Sequence, residues 1–577
     1  MSATKTGRQP VQFIEIRLDR CSLTYGETPC TAAIGVTGDT QCFNAFKTCQ
    51  DPDNYDPSDK LVLRFASPHA MLPGDLEVIP TLQSLRQTPA RIEPGKSLGR
   101  RASVSAVVAD HPYHDRLLDP YHRTRDPAFA PQGSFWARLL ARNPYYNGRE
   151  MYVYTGYVGQ PLSEYRKQRY MIERIEGPDG AGSVKITGKD PLKAVDDDRA
   201  VCPRPSTGQL SATLTDDGMS LTLAPTGVGN AEYPASGWAI IGGEIVTFTR
   251  SGDNVTLTAR GLFGTEQEEH DEGETFQVCA RFNNTPWAVM RSLWINFANG
   301  DPNLIPFSEW EAEGNQWLGG LTVNALICEP TGVRELWDQL CEQTLSYVWW
   351  DELEQKIRFK ALRPASAEEI VELTDDGSFV EESFAVKDKP EERITTVIAY
   401  FGIRNPSTDI EEGANYRAKR VRMDVSAASS FEYGDQRIKT IYGRWFQDID
   451  DGAATRLTFR TLGRYRDTPR EYSFALDAKD RALKQGDIAR ITTRTVTDFT
   501  GRPDTRLVEI VEAGEAVAGH RYEYRAIDYV FTSRYCIIMQ NNAPDYEDAS
   551  QELRGTGGWI GPDSGNFDDG TERYRIL

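Results

Sequence analysis

The chain has 577 residues, 39% hydrophobic and 10% aromatic, and sets 65 Lys and Arg against 85 Asp and Glu for a formal charge of -20. That length predicts several domains, on the order of four, and the apolar content excludes a disordered chain. The acidic balance excludes general nucleic-acid binding, because phosphate contacts need a surplus of cations.

The first ten residues, MSATKTGRQP, are polar and contain no apolar h-region, which argues against a Sec-type signal peptide. No uninterrupted run of about 18 apolar residues follows, so no helical membrane span is predicted. Synthesis in a bacterial cytoplasm is expected, where thiols stay reduced and clustered cysteines favour metal over disulfides. The segment FIEIRLD, Phe13 to Asp19, alternates Ile14, Ile16 and Leu18 with charged residues and predicts a half-buried strand. It delivers Cys21, the first of four cysteines at 21, 30, 42 and 49, while the other five in the chain are scattered.

The spacing is C-x8-C-x11-C-x6-C. Disulfides suit the compartment least. A four-thiolate zinc site is open, although zinc knuckles usually bring two cysteines close together. An iron–sulfur cluster also takes four thiolates and, being larger than one ion, accepts more distant ligands. Four unliganded core thiols are the plain alternative. Gly26, Pro29, Gly35 and Gly38 lie between the cysteines and predict turns whose free N–H groups face sulfur. Phe43 and Phe46 are candidates to shield the site, and LVLRF, Leu61 to Phe65, resumes a strand.

The run CFNAFKTCQDPDNYDP after C-x8-C resembles the cysteine segment of tail-tip proteins of long, non-contractile-tailed bacteriophages. The lambda-type tail-tip protein L and gene-transfer-agent hub proteins look alike here. The resemblance implies a [4Fe-4S] cluster on Cys21, Cys30, Cys42 and Cys49, with zinc as the alternative. The loop between the second and third cysteines is shorter than in the lambda-type protein.

Residues 60–200 read as β-rich: ASVSAVVAD, REMYVYTGYVG, QRYMIERIEG and SVKITGKDPL are strands, with SFWARLLARNPYY a short helix or turn between the first two. DHPYHDRLLDPYHR carries Asp110, His111, His114, Asp115, Asp119 and His122. A metal reading of H-x-x-H competes there with a loop held by His and Asp hydrogen bonds to backbone. The second is favoured, because Pro112 breaks any shared helical face. A charge cluster followed by prolines, Lys193 to Gly208, marks a boundary.

Residues 209–280 are expected to form a small inserted β module containing RGLFGTEQEEHDEG, in which His270 reads as a turn-stabilising residue. From 281 the pattern turns α+β. A helix is predicted over TPWAVMRSLWINFANG, with Thr285 as N-cap and Trp287, Met290, Trp294 and Phe297 on one face. A second is predicted from Thr331, presenting Val333, Leu336, Leu340 and Thr344. The hairpin YVWWD…KIRF follows, with Trp349 and Trp350 read as packed. Further on come a strand ERITTVIAYFG, a helix Gly452 to Arg466, and strands REYSFALD and LKQGDIARITT. These segments resemble hub domains of the lambda J type.

The expected organisation is a β-rich lobe at 1–200 with the four-cysteine loop at 21–49, the module at 209–280, hub domains at 281–390 and 391–540, and an acidic extended arm at 541–577. Trp559, Phe567, Tyr574 and Leu577 would anchor that arm. The fold class is multidomain and mainly β, with sandwich- or barrel-like modules and α+β hub domains. The resemblance implies a virion protein of the tail tip or baseplate, a homotrimeric hub closing the tail tube and contacting the distal tail protein, the tape measure protein, and tail fibre or lower hub proteins.

The alternative is a cytoplasmic iron–sulfur or zinc protein with a redox or enzymatic role. No G-x-S-x-G, G-x-x-x-x-G-K-[ST] or H-E-x-x-H occurs, so no catalytic residue is assigned and the chain is not expected to be an enzyme.

Overall fold

The computed structural model describes residues 8–112, 115–125, 133–425, 436–447, 452–480 and 482–530, with short stretches at 537–538, 544, 548–550 and 557–558. The protein is mainly β, built from several largely antiparallel sheets. Most of the C-terminal arm, its four anchor residues, His114 and Cys536 lie outside the described residues. Among the described residues no helix is long and apolar enough to cross a membrane.

The first sheet has seven antiparallel strands in the order Asp59–Ala66, Pro10–Arg20, Glu150–Tyr157, Arg166–Glu176, Ser183–Lys189, Ser103–Ala109 and Leu82–Thr88. Ile14, Ile16 and Leu18 face one core, closed by Phe65, Phe135 and Trp136. The opposite face of Pro10–Arg20 is also covered, which alternation alone did not predict. Phe13 stacks on Tyr154 at 4.6 Å. Glu15 is buried between Arg17 at 2.7 Å and Arg64 at 2.7 Å, so its charge is paired rather than solvated.

The second sheet orders Gln209–Leu210, Ser220–Ala224, Asn254–Leu262, Glu244–Ser251, Ser236–Ile241, Phe276–Asn284 and Val323–Ile327. Phe276–Asn284 is shared. Its first half pairs with Ser236–Ile241 and its second half with Val323–Ile327, so one strand carries the module into the helical region.

That region has the largest core. Helices Pro286–Asn296, Phe307–Leu318, Val333–Thr344 and Gly452–Tyr465 bury Trp287, Trp294, Trp310, Trp337, Trp350 and Trp445. Val333–Thr344 starts two residues later than predicted, because Thr331–Gly332 pairs with Val201–Cys202. Phe307–Leu318 was not anticipated, although Trp310, Gly314 and Leu318 recur at helical spacing and Gly319 ends it with φ 57°. Gly314 is required there: a Cβ would lie 2.3 Å from the Trp287 ring.

The last large sheet has eight strands. It includes Ile488–Thr497, Pro503–Val517, Arg521–Asp528 and Arg470–Asp477, with Ile370–Thr374 joining in parallel. The hairpin Arg91–Glu93 and Ser97–Arg100 belongs to this sheet, through Arg91 opposite Glu512. Arg91 also bonds Glu471 at 2.6 Å, and Asp338 accepts from the Leu98 N–H at 2.7 Å.

Where this sheet meets the helices, Glu509 is fully buried, accepting from Tyr347 and, at 3.1 Å, from Arg464. Removing one partner of such a pair leaves the other charge buried alone. Arg464→Ala is therefore expected to cost about 3–5 kcal/mol, read as an earlier urea transition followed by tryptophan fluorescence. An unchanged transition would show that Glu509 is satisfied without Arg464.

Candidate functional site

The four cysteines come from separate turns and line one pocket. Cys21 follows the last ladder pair of its strand, Arg20 opposite Asp59. Cys30 closes a turn through its N–H to the Glu27 carbonyl at 2.8 Å. Cys42 precedes Asn44, whose φ of 53° is the left-handed conformation Asn tolerates. Cys49 ends the 3-10 turn Phe46–Thr48.

Asn44 organises the loop. Its backbone carbonyl accepts from the Cys21 N–H at 2.8 Å, and its side-chain amide donates to the carbonyls of Cys21 and Leu23 at 3.1 and 3.2 Å. Gln50 joins two more turns, donating to the Thr40 carbonyl at 2.7 Å and accepting from Tyr25 at 2.8 Å. Asp51 accepts from the Thr31 N–H at 2.7 Å.

The remaining residues lining the pocket are Leu23, Tyr25, Ala32, Asn44, Gln50 and Tyr55, so the donor set is sulfur alone, without carboxylate or imidazole. Burial pushes the Cys42 and Cys49 thiols up, opposed by hydrogen bonds at Asn44 and Asp51 respectively, and the neighbouring cysteines push them further. Four thiolates are thus disfavoured together unless a cation joins them, and a bound metal inverts that balance.

Among the described residues, no group of three or more His, Cys, Asp or Glu is close enough together to hold a single metal ion. The space between the thiols is about 10 Å³, room for one water. The all-sulfur donor set fits the chemistry of a multi-iron group, which the pocket as it stands is too small to enclose.

Residues of the histidine loop weighed above, Asp115, Asp119 and Tyr121, brace this site together with Arg125 and Arg142. Asp115 takes Arg142 in a two-pronged pair at 2.8 and 2.6 Å, and Asp119 takes Arg125 in the same way. Both guanidiniums then cover the Phe43 ring, each 3.8 Å from its centroid. Arg125 also donates to the carbonyls of Gln41 and Cys42 at 2.9 Å each, and the Tyr121 hydroxyl accepts from the Tyr25 N–H at 2.8 Å.

His122 lies against the Asp119 carbonyl at 3.2 Å, and His111 stacks on Phe135 at 5.2 Å. These two histidines serve the loop separately. Sequence reasoning named Phe43 but not the arginines that hold it. Phe46 is 50% exposed, and its ring meets Tyr55 and Tyr145 edge-on at the rim of a neighbouring cavity of about 370 Å³. Tyr55 lines both spaces; burial, then Asp19, Cys21 and Cys49, push its hydroxyl up to about 12.

His270 is a structural residue of the inserted module. It is 1% exposed and touches Glu244 at 2.9 Å and Glu274 at 3.1 Å. Glu244 takes Arg260 through both oxygens at 3.0 and 2.6 Å. Burial pushes the Glu244 carboxyl up, but Arg260, His270 and the Gly261 and Glu268 N–H groups together hold it below the usual carboxylate range.

No family model matches the chain, and no curated protein matches it. Among solved structures it is similar to a tail protein from Neisseria meningitidis MC58, at 9% identity and TM-score 0.34 over 77% of this chain and 91% of that one. It is also similar to the 43 kDa tail protein of prophage MuSo2 from Shewanella oneidensis, at 10% identity and TM-score 0.36 over 78% and 95%. A chain of the native gene transfer agent virion aligns at 13% identity and TM-score 0.19 over 47% and 80%. Likeness at this level does not carry their roles to this chain.

Two outcomes are expected. Phe43→Ala removes the platform for both arginines, and Cys42 and Cys49 in metal-free protein should react with a disulfide reagent on the order of tenfold faster, equivalent to losing about 1.4 kcal/mol of cation–π contact; equal rates would refute the clamp. Glu244 has a folded pKa below its unfolded one, so its stabilisation is full above the unfolded value of about 4.3 and is lost as pH falls through the folded pKa. Acid titration followed by Trp238 fluorescence should show a module transition there that Glu244→Gln lacks.

Proposed function

We propose that the chain is a structural virion protein, the hub of a phage-type tail tip or baseplate, in which Cys21, Cys30, Cys42 and Cys49 hold a [4Fe-4S] cluster. The observation that carries this reading is the meeting of four thiols, from four turns, in one pocket without a competing donor. The resemblance of the cysteine segment to tail-tip proteins supplies the setting. The resemblance, together with the lack of a close cysteine knuckle in the C-x8-C-x11-C-x6-C spacing, favours a cluster over zinc.

The role assigned to the cluster is mechanical. Binding a metal group to turns with little apolar core of their own turns binding energy into folding energy. The clamp on Phe43 would transmit that order to the first sheet through helix Phe135–Arg142. The chain's own residues then supply ligation by four thiolates, N–H groups toward sulfur, and cover from Phe43, Tyr25 and Tyr55. Assembly as a homotrimer, with the distal tail, tape measure and fibre proteins as neighbours, belongs to the same proposal, as does a non-catalytic role.

The test is anaerobic purification with metal and acid-labile sulfide analysis. About four irons and four sulfides per chain are expected, with brown colour lost in Cys21→Ser and Cys49→Ser. One zinc without sulfide would replace the cluster by the zinc alternative. Immunogold electron microscopy of particles tests location: label at the tail end is expected, and a label-free particle would refute the hub reading.

A further inference from the structure

The shared strand Phe276–Asn284 changes partners at Cys279. Upstream, Phe276 to Cys279 face Ile241 to Trp238 of the module. Downstream, Ala280 to Asn284 face Ile327 to Val323. Continuing that second register by one residue sets Cys279 opposite Cys328, just past the end of Val323–Ile327. Facing residues of an antiparallel pair have Cα atoms about 4.5–5.5 Å apart, inside the roughly 4.4–6.8 Å that a disulfide spans. Both thiols are buried in one small cluster with Ile240, Ile245 and Leu326, and each is in hydrogen-bonding reach of the other.

We infer that Cys279 and Cys328 form an oxidisable cross-strand pair, a modification site at which a disulfide staples the inserted module to the helical domain. With a peroxide as oxidant, one thiol takes an oxygen as sulfenic acid while the O–O bond breaks and water leaves. The second thiol then displaces hydroxide from that sulfur. Two S–H bonds are lost, one S–S bond forms, and two electrons reduce the peroxide to two waters. The hydrogen bond with Cys328, then burial, push the Cys279 thiol up, which keeps the reactive thiolate scarce and the reaction with peroxide slow. The closed loop, residues 279–328, contains two helices of the large core.

This inference is independent of the proposed cluster and is read at different cysteines. Full-length protein is treated with hydrogen peroxide, alkylated, and mapped by mass spectrometry without reductant. The expected result is a single peptide joining Cys279 to Cys328. Proteolytic release of the module should slow roughly tenfold or more, and dithiothreitol should restore the original rate. Cys328→Ser should abolish both effects. Recovery of Cys279 and Cys328 as separate alkylated or sulfinic residues, or linked elsewhere, would overturn the assignment; the mapping uses the unmodified chain, so it does not depend on how the variant folds.

Discussion

A buried carboxylate is held in its charged form by a cation beside it, and such pairs recur within and between the sheets of the molecule. Glu15 lies between two arginines in the first sheet. Glu244 holds Arg260 and His270 inside the module. Glu509 meets Arg464 where the helices join the last sheet, and Glu471 meets Arg91 from the N-terminal hairpin. Apolar burial would stabilise these contacts without fixing their register. Paired charges fix it, because a slipped strand leaves a bare charge in the core.

The four-thiol pocket follows the same rule on a smaller scale. Its sulfurs are disfavoured as free thiolates by burial and by one another. The protein surrounds them with charges already neutralised elsewhere: Asp115 and Asp119 satisfy Arg142 and Arg125, and those cations spend their faces on Phe43. Arg125 and Arg142 are thereby held on Phe43 rather than on the sulfurs. The aromatic clamp ties the loop to a helix of the first core, and any tension on the loop passes into the sheet.

Local patterns were legible in the sequence. The Pro10–Arg20 strand, the Pro286–Asn296 helix and the hairpin around Trp349 and Trp350 follow from periodicity and, for the helix, from Pro286 at its first turn, although Thr285 makes no side-chain capping bond. The cysteine quartet was legible as a set from its spacing and turn residues. Contacts across long separations were not. Nothing near Asp115 states that it serves Phe43, and the tempting H-x-x-H spacing drew attention from the aspartates between the histidines. Pro503–Val517 was missed because Glu509, Glu512 and Glu515 interrupt its alternation, and their partners lie on other segments.

The hairpin at 91–100 has a consequence for how the chain is made. It is synthesised early, yet its ion-pair partner Glu471 arrives 380 residues after Arg91, and its ladder partner Glu512 arrives later still. Nascent chains emerge at about 5–20 residues per second, so the hairpin waits tens of seconds on the ribosome before these partners are made. The first sheet closes without it, since Leu82–Thr88 and Ser103–Ala109 pair directly. Release of the C-terminal strands is then the event that docks the earliest domain onto the latest, and chains truncated before residue 512 cannot pass that checkpoint.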